Sequence, residues 1–245
     1  MPALGPTPPI LVGTAGWSIP SALANAFPGP GTHLERYARH LLVAEINSSF
    51  HRPHRPATYA RWADSTPPGF RFAAKLPKTI THQRRLIDAE EPLAAFLAEA
   101  AGLADKLAVL LVQLPPSLTF DADTARAFFR SLADRTGAAV ACEPRHPGWF
   151  TPVADALLAD HRVARVAAHP VLAPGGERPG GWPGLRYHRL HGAPRTYYSS
   201  YEEAELHALA ATLTAGDKAT PRWCVFDNTA SGAATADALA LRAML

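Results

Sequence analysis

The chain is expected to fold as an α/β protein of the TIM type, a single (β/α)8 barrel domain over residues 1–245 in which a Pro/Gly-rich loop replaces the sixth helix. Three observations predict this. Strand-like apolar runs alternate with helical patterns along almost the whole chain, the signature of a parallel sheet. The runs number eight, seven of them followed by a plausible helix, and a length of 245 residues suits a barrel. No GxGxxG or GxxxxGK[ST] segment is present, as an open nucleotide-binding sheet would carry. Periodicity alone does not separate a closed barrel from an open doubly wound sheet; the count, the length and the missing phosphate loops favour the barrel.

The elements follow in order. PILVGT (9–14) is the first strand, and the next helix lies around 33–41, where Leu34, Tyr37, Ala38 and Leu41 make one apolar face. VAEINSSF (43–50) leads to a helix over 56–65, with Pro56 as its start signal. FRFAAKL (70–76) precedes a helix over 91–104, LAVLLVQL (107–114) one over 121–135, and AAVACE (138–143) one over 152–161. VARVAAH (163–169) runs into PVLAPGGERPGGWPG (170–184), whose prolines and glycines predict a loop. LRYHRLHG (185–192) leads to a helix over 201–213, and RWCVFDN (222–228) to one over 233–245.

Composition bounds the function classes. A hydrophobic share of 47% with 18% charged residues is that of an ordinary globular protein. The net charge of +3 and pI of about 9.0 favour anionic ligands but are too small to argue nucleic-acid binding alone. The two cysteines, Cys142 and Cys224, lie in apolar runs without CxxC spacing and read as core residues, so no disulfide framework or thiolate metal centre is expected. MPALGPTPPI lacks the pattern of a signal peptide and no apolar run reaches ~18 residues, so a cytoplasmic protein without membrane association is expected.

Polar groups gather at the C-terminal ends of the strands: Trp17, Glu45, Asn47, Lys75, Gln113, Glu143, Arg145, His169, Arg189, His191, Asp227 and Asn228. Alternation puts Ala73 with Lys75, Val109 and Leu111 with Gln113, and Ala139 and Ala141 with Glu143 on one face each. The polar residue closing each series is then expected at the barrel mouth, where barrel enzymes build their sites. HRPHRP, KLPKTITHQRR and RLHGAPR make the adjoining loops basic, which predicts a small anionic ligand such as a phosphate ester or carboxylate; Arg55, Arg84 and Arg85 are better read as solvated surface.

The motifs GTAGWS (13–18), EINSSF (45–50), FRFAAKLPKTITH (70–82), LLVQLPPS (110–117), ACEPRHPGWF (141–150), YHRLHG (187–192) and VFDNTASGAA (225–234) resemble, in this order, the pattern of the domain of unknown function 72 family, also called YecE-like. The resemblance covers essentially the whole chain. It implies a TIM-barrel fold and no established activity. Its motif positions fall on Trp17, Glu45, Asn47, Lys75, Thr81, His82, Gln113, Glu143, Arg145, His146, Trp149, Arg189, His191 and Asn228. The sequence departs from the pattern at His51, where tyrosine is usual, at His169, where aspartate is common, and in IPSALANAFPGPG, which replaces an aromatic and glycine segment.

Three readings of function follow. The favoured one is a metal-independent enzyme without a cofactor, performing acid–base chemistry on a small anion. In it Glu143 is the base if its setting raises its pKa, or an anchor if Arg145 pairs with it; His191 or His146 is the acid, and Lys75 and Arg189 stabilise negative charge. Trp17, Glu45, Asn47, His82, Gln113, Arg145, Trp149, His169 and Asn228 would bind substrate alongside Arg189. The second reading is a divalent-metal hydrolase or isomerase using Glu45, Glu143, His169, His191 and Asp227, although no HxH or HxxxH spacing supports it. The third is a non-enzymatic module in which Trp17, Trp149, Tyr197 and Tyr198 stack on nucleic acid or meet a protein. The residues do not decide whether the protein is an enzyme, and they leave the oligomeric state open.

Overall fold

A computed structural model describes residues 10–215 and 219–245; Pro9 of the expected first strand lies outside them. Ten strands join in one sheet: β1 (Ile10–Ala15), β2 (Val43–Ile46), β3 (Arg71–Lys75), β4 (Leu107–Gln113), β5 (Ala139–Glu143), β6 (Val163–Arg165), β7 (Ala167–His169), β8 (Gly180–Gly181), β9 (Arg186–Leu190) and β10 (Arg222–Phe226). The helices are α1 (His33–Tyr37), α2 (Pro56–Asp64), α3 (Glu90–Ala100), α4 (Ala122–Ala133), α5 (Pro152–Asp160), α6 (Glu203–Thr214) and α7 (Ala233–Met244). The order β7-β9-β10-β1-β2-β3-β4-β5-β6-β8 is parallel at every step except β6–β8. The result is a mixed α/β fold around a nearly closed, barrel-like sheet.

The sequence predicts eight strands and the sheet has ten. The difference arises chiefly in the sixth run, 163–169, which changes neighbours partway: β6 pairs with β5, β7 pairs with β9, and Val166 alone separates them. The Val166 amide still donates to Cys142 O at 2.8 Å, so the chain crosses from one neighbour to the other without losing that bond. Residues 170–184 contain no helix, in line with their prolines and glycines; Gly180 and Gly181 form the short β8 against β6. Arg165 holds this loop, donating to both Asp155 oxygens and to the carbonyls of Gly175 and Arg178.

Alternation divides the core into two layers. Leu11, Val43, Ala73, Val109, Leu111 and Ala141 fill the inside of the sheet, with Tyr187, Trp223 and Val225 from the far side. The odd-numbered partners on β4 and β5 are the ones predicted to share the face of Gln113 and Glu143. The outer layer packs the sheet against the helices; α4 buries Ala125, Phe128, Phe129 and Leu132, at about 1.5–3 kcal/mol for each large apolar side chain. Gly13 is required where β1 crosses β2, because a Cβ there would lie 2.0 Å from Val43 O.

Helix boundaries follow local chemistry. Thr32 and Glu35 form a reciprocal capping box at α1, Asp121 caps α4, and Thr151 caps α5 ahead of Pro152. The helix expected over 33–41 ends at Tyr37, and the strand expected over 43–50 ends at Ile46, where a 3-10 turn, Ser48–Phe50, takes over. The helix expected over 91–104 gives way after Ala100 to a 3-10 segment containing Ala104 at a φ of 50°. Among the described residues no helix is long and apolar enough to cross a membrane.

Candidate functional site at the strand ends

Arg189 is the hub of the strand-end cluster. It follows Tyr187 on the inner face of β9, and none of its side chain reaches solvent. Its guanidinium donates Nε to Glu45 Oε2 at 3.0 Å and Nη2 to Glu45 Oε1 at 2.5 Å. It also donates Nη1 to Glu143 Oε2 at 2.5 Å and Nη2 to Asp227 Oδ2 at 3.0 Å. The Tyr187 hydroxyl, kept protonated by burial and the Glu45 charge, donates to Glu45 Oε2 at 3.0 Å. One cation thus ties β2, β5, β9 and the end of β10 together. Arg189, expected to stabilise substrate charge, has its positive charge taken up by three carboxylates.

His191 and Arg145 complete this network. His191 Nε2 lies 3.1 Å from Glu143 Oε1, and Nδ1 sits 3.2 Å from Asp227 Oδ2, in ion-pair range but outside hydrogen-bond geometry. Burial alone would pull the imidazole pKa down; Glu143 and Asp227 outweigh it and raise it above the ordinary value. Arg145 donates Nε and Nη2 to Glu143 Oε1 at 3.2 and 3.1 Å, and Nη1 to the Tyr197 hydroxyl at 3.3 Å. Burial pushes the Glu143 carboxyl upward, but Arg189, His191 and Arg145 together hold it well below the usual carboxylate range. Of the two expectations for Glu143, the anchor fits and the base with a raised pKa does not. Asn47 donates Nδ2 to Asp227 Oδ1 at 3.3 Å, while its own buried Oδ1 accepts nothing from the described residues.

Lys75 differs from every other charged residue of the cluster. It closes β3 on the inner face above Ala73 and is only 7% exposed. Nζ lies 4.1 Å from the centre of the Phe50 ring. No hydrogen bond or ion pair from the described residues reaches Nζ, whereas the half-buried Lys106 donates to Ala63 O, Thr66 O and Thr66 Oγ1. Burial and the Arg189 charge lower the Lys75 ammonium to about 8, with partial compensation from Glu45, Glu143 and Asp227. Ser49 fixes the aromatic floor: its hydroxyl donates to Ile46 O at 2.9 Å and Lys75 O at 2.7 Å, tying the turn that carries Phe50 to the end of β3. His82, on the π-helical turn Thr79–Gln83, packs edge-on to Phe50 at 4.9 Å, and its Nδ1 lies 2.9 Å from Thr81 Oγ1. Burial, with the Lys75 and Arg145 charges, keeps the His82 imidazole below its ordinary pKa.

Other sequence-selected residues lie apart from this cluster or serve local contacts. His169 falls outside the sheet, because Ala164 and Val166 take the inner positions; its Nδ1 lies 3.1 Å from the Tyr201 hydroxyl. It lines an outer groove of about 270 Å³ with His188, Leu190 and residues of α6, at the place a sixth helix would cover. Trp17 packs edge-on against Trp62 and Phe72. Trp149 is 1% exposed, donates Nε1 to Leu118 O at 2.9 Å and packs against Phe120. His146 Nδ1 accepts from Gly148 N at 3.0 Å, capping its own turn. Gln113 stands on the inner face, its Nε2 donating to Leu114 O at 2.8 Å. Asn228 donates to Ser199 O at 2.8 Å and Asp237 Oδ2 at 2.7 Å, fastening the loop after β9.

Sequence reasoning missed Phe50 and Tyr187, and it selected Tyr197 as a stacking aromatic, whereas its hydroxyl accepts from Arg145. Tyr187 was readable from its place two residues before Arg189, on the same face of the strand. Phe50 stands within EINSSF but gave no chemical signal of its own. Of the rim residues, Arg52, Arg55, Lys78, Arg84 and Arg195 are exposed, and Arg195 stacks on Tyr198 at 3.8 Å. Arg85 instead donates to Ser117 O at 2.8 Å.

The chemistry open to this cluster follows from its charges. Three carboxylates face two guanidiniums, leaving one negative charge to be met by a proton on Lys75 or His191; with both protonated, the centre carries a positive charge that suits an anion. Glu45, Glu143 and Asp227 all turn toward Arg189. Among the described residues no three His, Cys, Asp or Glu side chains are grouped to hold a metal ion.

The family described as "Protein of unknown function DUF72" matches residues 11–245. UPF0759 protein YecE from Escherichia coli K12 is 32% identical over 142 residues, which is 58% of this chain and 50% of that protein; the homologue from E. coli O157:H7 matches to the same extent. The chain thus spans about half the length of these curated relatives. Crystal structures of DUF72 family proteins superpose over nearly the whole chain. That from Enterococcus faecalis V583 has a TM-score of 0.79 at 21% identity, covering 96% of this chain and 95% of that one. That from Thermotoga maritima MSB8 has a TM-score of 0.76 at 21% identity, covering 96% and 98%. At these identities the likeness concerns the fold.

Proposed function

We propose that this chain, which belongs to the DUF72 family, is an enzyme that moves protons on a small phosphorylated or carboxylated substrate at the mouth of a single (β/α)8 barrel domain. The eight-stranded reading takes β6 and β7 as one strand interrupted at Val166 and assigns β8 to the loop that stands in for the sixth helix. The mouth then lies at the C-terminal strand ends, as in barrel enzymes generally.

One observation carries the reading: the Lys75 side chain is sunk into the fold, yet no described residue hydrogen-bonds its Nζ, beside a cluster in which every other charge is paired. An ammonium held against an aromatic ring with no protein acceptor leaves its donors to water or to a ligand that completes them. Lys75 is the charged contact for the substrate, His191 the proton donor, and His82 with Arg145 the flanking groups. Glu45, Glu143 and Asp227 hold Arg189, Arg145 and His191 in place. The metal-dependent reading stands behind this one because its carboxylates already serve Arg189. The stacking reading loses support because Trp17 and Trp149 are spent on packing.

The test is a thermal-shift and calorimetric screen of phosphate esters and carboxylates against neutral analogues of the same shape. A ligand at a hundred times its Kd adds about 2.7 kcal/mol of stability. Anionic compounds should stabilise the protein, with the effect abolished by Lys75→Met and weakened by His82→Ala. Equal binding of neutral analogues, or undiminished anion binding by Lys75→Met, would overturn the proposal.

A further inference from the structure

The same amine has a second use. We propose that Lys75 is a nucleophile that forms an imine with an aldehyde or ketone group of the substrate, which narrows the substrate class to anionic carbonyl compounds. This rests on the proposed anion site and deepens it.

Geometry supplies the argument. A lysine that serves as a structural cation is surrounded by acceptors, as Lys106 is with three. Lys75 has an aromatic face beneath it and, among the described residues, no acceptor bonded to it, so its nitrogen lone pair, once the amine is deprotonated, is not engaged by a described donor. The carboxylates that would otherwise pin the ammonium are held by Arg189 instead. An ammonium is not nucleophilic; the free amine is. With the Lys75 pKa lowered to about 8, roughly one molecule in ten carries the free amine at pH 7, against roughly one in a few thousand for an ordinary lysine. Desolvation beside another cationic group is a recognised route to such a lysine.

The step balances without an oxidant or a metal. The Lys75 nitrogen bonds to the carbonyl carbon while the C=O π pair moves to oxygen, which takes a proton; nitrogen gives up a proton to a base, the role we give to His82, which packs against the same Phe50 ring and which burial, with the Lys75 and Arg145 charges, holds below its ordinary pKa. The carbinolamine oxygen then takes a second proton and leaves as water, and the nitrogen lone pair completes a C=N bond carrying one positive charge. His191, whose imidazolium is stabilised by Glu143 and Asp227, is the acid of this cluster.

The chain contains only four lysines, Lys75, Lys78, Lys106 and Lys218, so trapping can be mapped to a residue. The intact protein is incubated at pH 7 with pyruvate, glyoxylate or pyridoxal 5′-phosphate in the presence of borohydride, and the labelled lysines are identified by peptide mass spectrometry. Lys75, though buried, should be reduced to a secondary amine at least about tenfold faster than exposed Lys78, at a rate that rises toward a plateau above pH 8. Lys75→Arg, checked for folding by circular dichroism, should lose that label and keep the slow background. Labelling that follows exposure, or that spares Lys75 with all three probes, overturns the imine. If non-carbonyl anions still bind in a Lys75-dependent way, the anion site survives without it; if they do not, both fall.

Discussion

Arg189 and Glu45 meet through two parallel hydrogen bonds, Nε to Oε2 at 3.0 Å and Nη2 to Oε1 at 2.5 Å, with neither side chain exposed. The pair joins β9 to β2 across the inside of the sheet, and the same guanidinium reaches Glu143 and Asp227. A forked planar cation can serve several carboxylates at once where a point charge cannot.

Replacing Arg189 with methionine should therefore cost about 3–5 kcal/mol, because breaking a buried pair strands the remaining charge. Arg189→Lys should recover only part of the loss. Urea denaturation at pH 7 measures both; a loss below about 1 kcal/mol for the methionine variant would show that the network is not a determinant of stability.

Lys75→Met should have the opposite sign. A base whose folded-state pKa is depressed binds its proton more weakly in the native than in the unfolded chain, so its burial opposes folding at pH 7 and the opposition fades as pH rises from about 8 toward 10.5. The displacement corresponds to roughly 3 kcal/mol at about 1.36 kcal/mol per pKa unit. Urea midpoints should show Lys75→Met more stable than the parent at pH 7, with the gap closing above pH 10. Equal stability at pH 7 would contradict the assignment.

Glu143→Gln should lower the pKa of His191. The carboxylates are what overcome burial at this imidazole, so removing one lets desolvation and Arg189 prevail. In the parent, the raised pKa contributes stability that is present below about 6.5 and lost as pH rises through the folded-state value. Imidazole NMR titration reads the shift, and the variant should lose that part of the pH dependence. An unmoved His191 resonance would mean that Asp227 alone sets its charge.

Gly13→Ala should disrupt folding. The added methyl would sit 2.0 Å from Val43 O, a backbone atom of a paired strand that cannot turn aside. Soluble yield and thermal unfolding check this; an alanine variant within about 0.5 kcal/mol of the parent would require β1 and β2 to be looser than their pairing indicates.

Much of the sheet's inner face was legible because alternation is local. Ala73 predicts the inward face of Lys75, Val109 and Leu111 that of Gln113, and Ala141 that of Glu143, and each lies where that rule puts it. The same rule, counted from Ala164 and Val166, places His169 outside, whereas its position at the strand end, taken without the register, points to the mouth. The pairing of Arg189 with Glu45 joins residues 144 apart in sequence and leaves no local trace. The break at Val166 was equally invisible, since nothing in VARVAAH signals a change of neighbour. Trp17 and Trp149 are aromatics near strand ends, and both are consumed by neighbouring rings or a carbonyl.

The Ser49 hydroxyl bridges Ile46 O and Lys75 O, so the turn bearing Phe50 is stitched to the residue whose amine sits over that ring. Floor and amine are consequently carried on a common mount. A tilt of the second or third strand would raise or lower them in concert, leaving the distance between nitrogen and ring largely constant while altering what lies above.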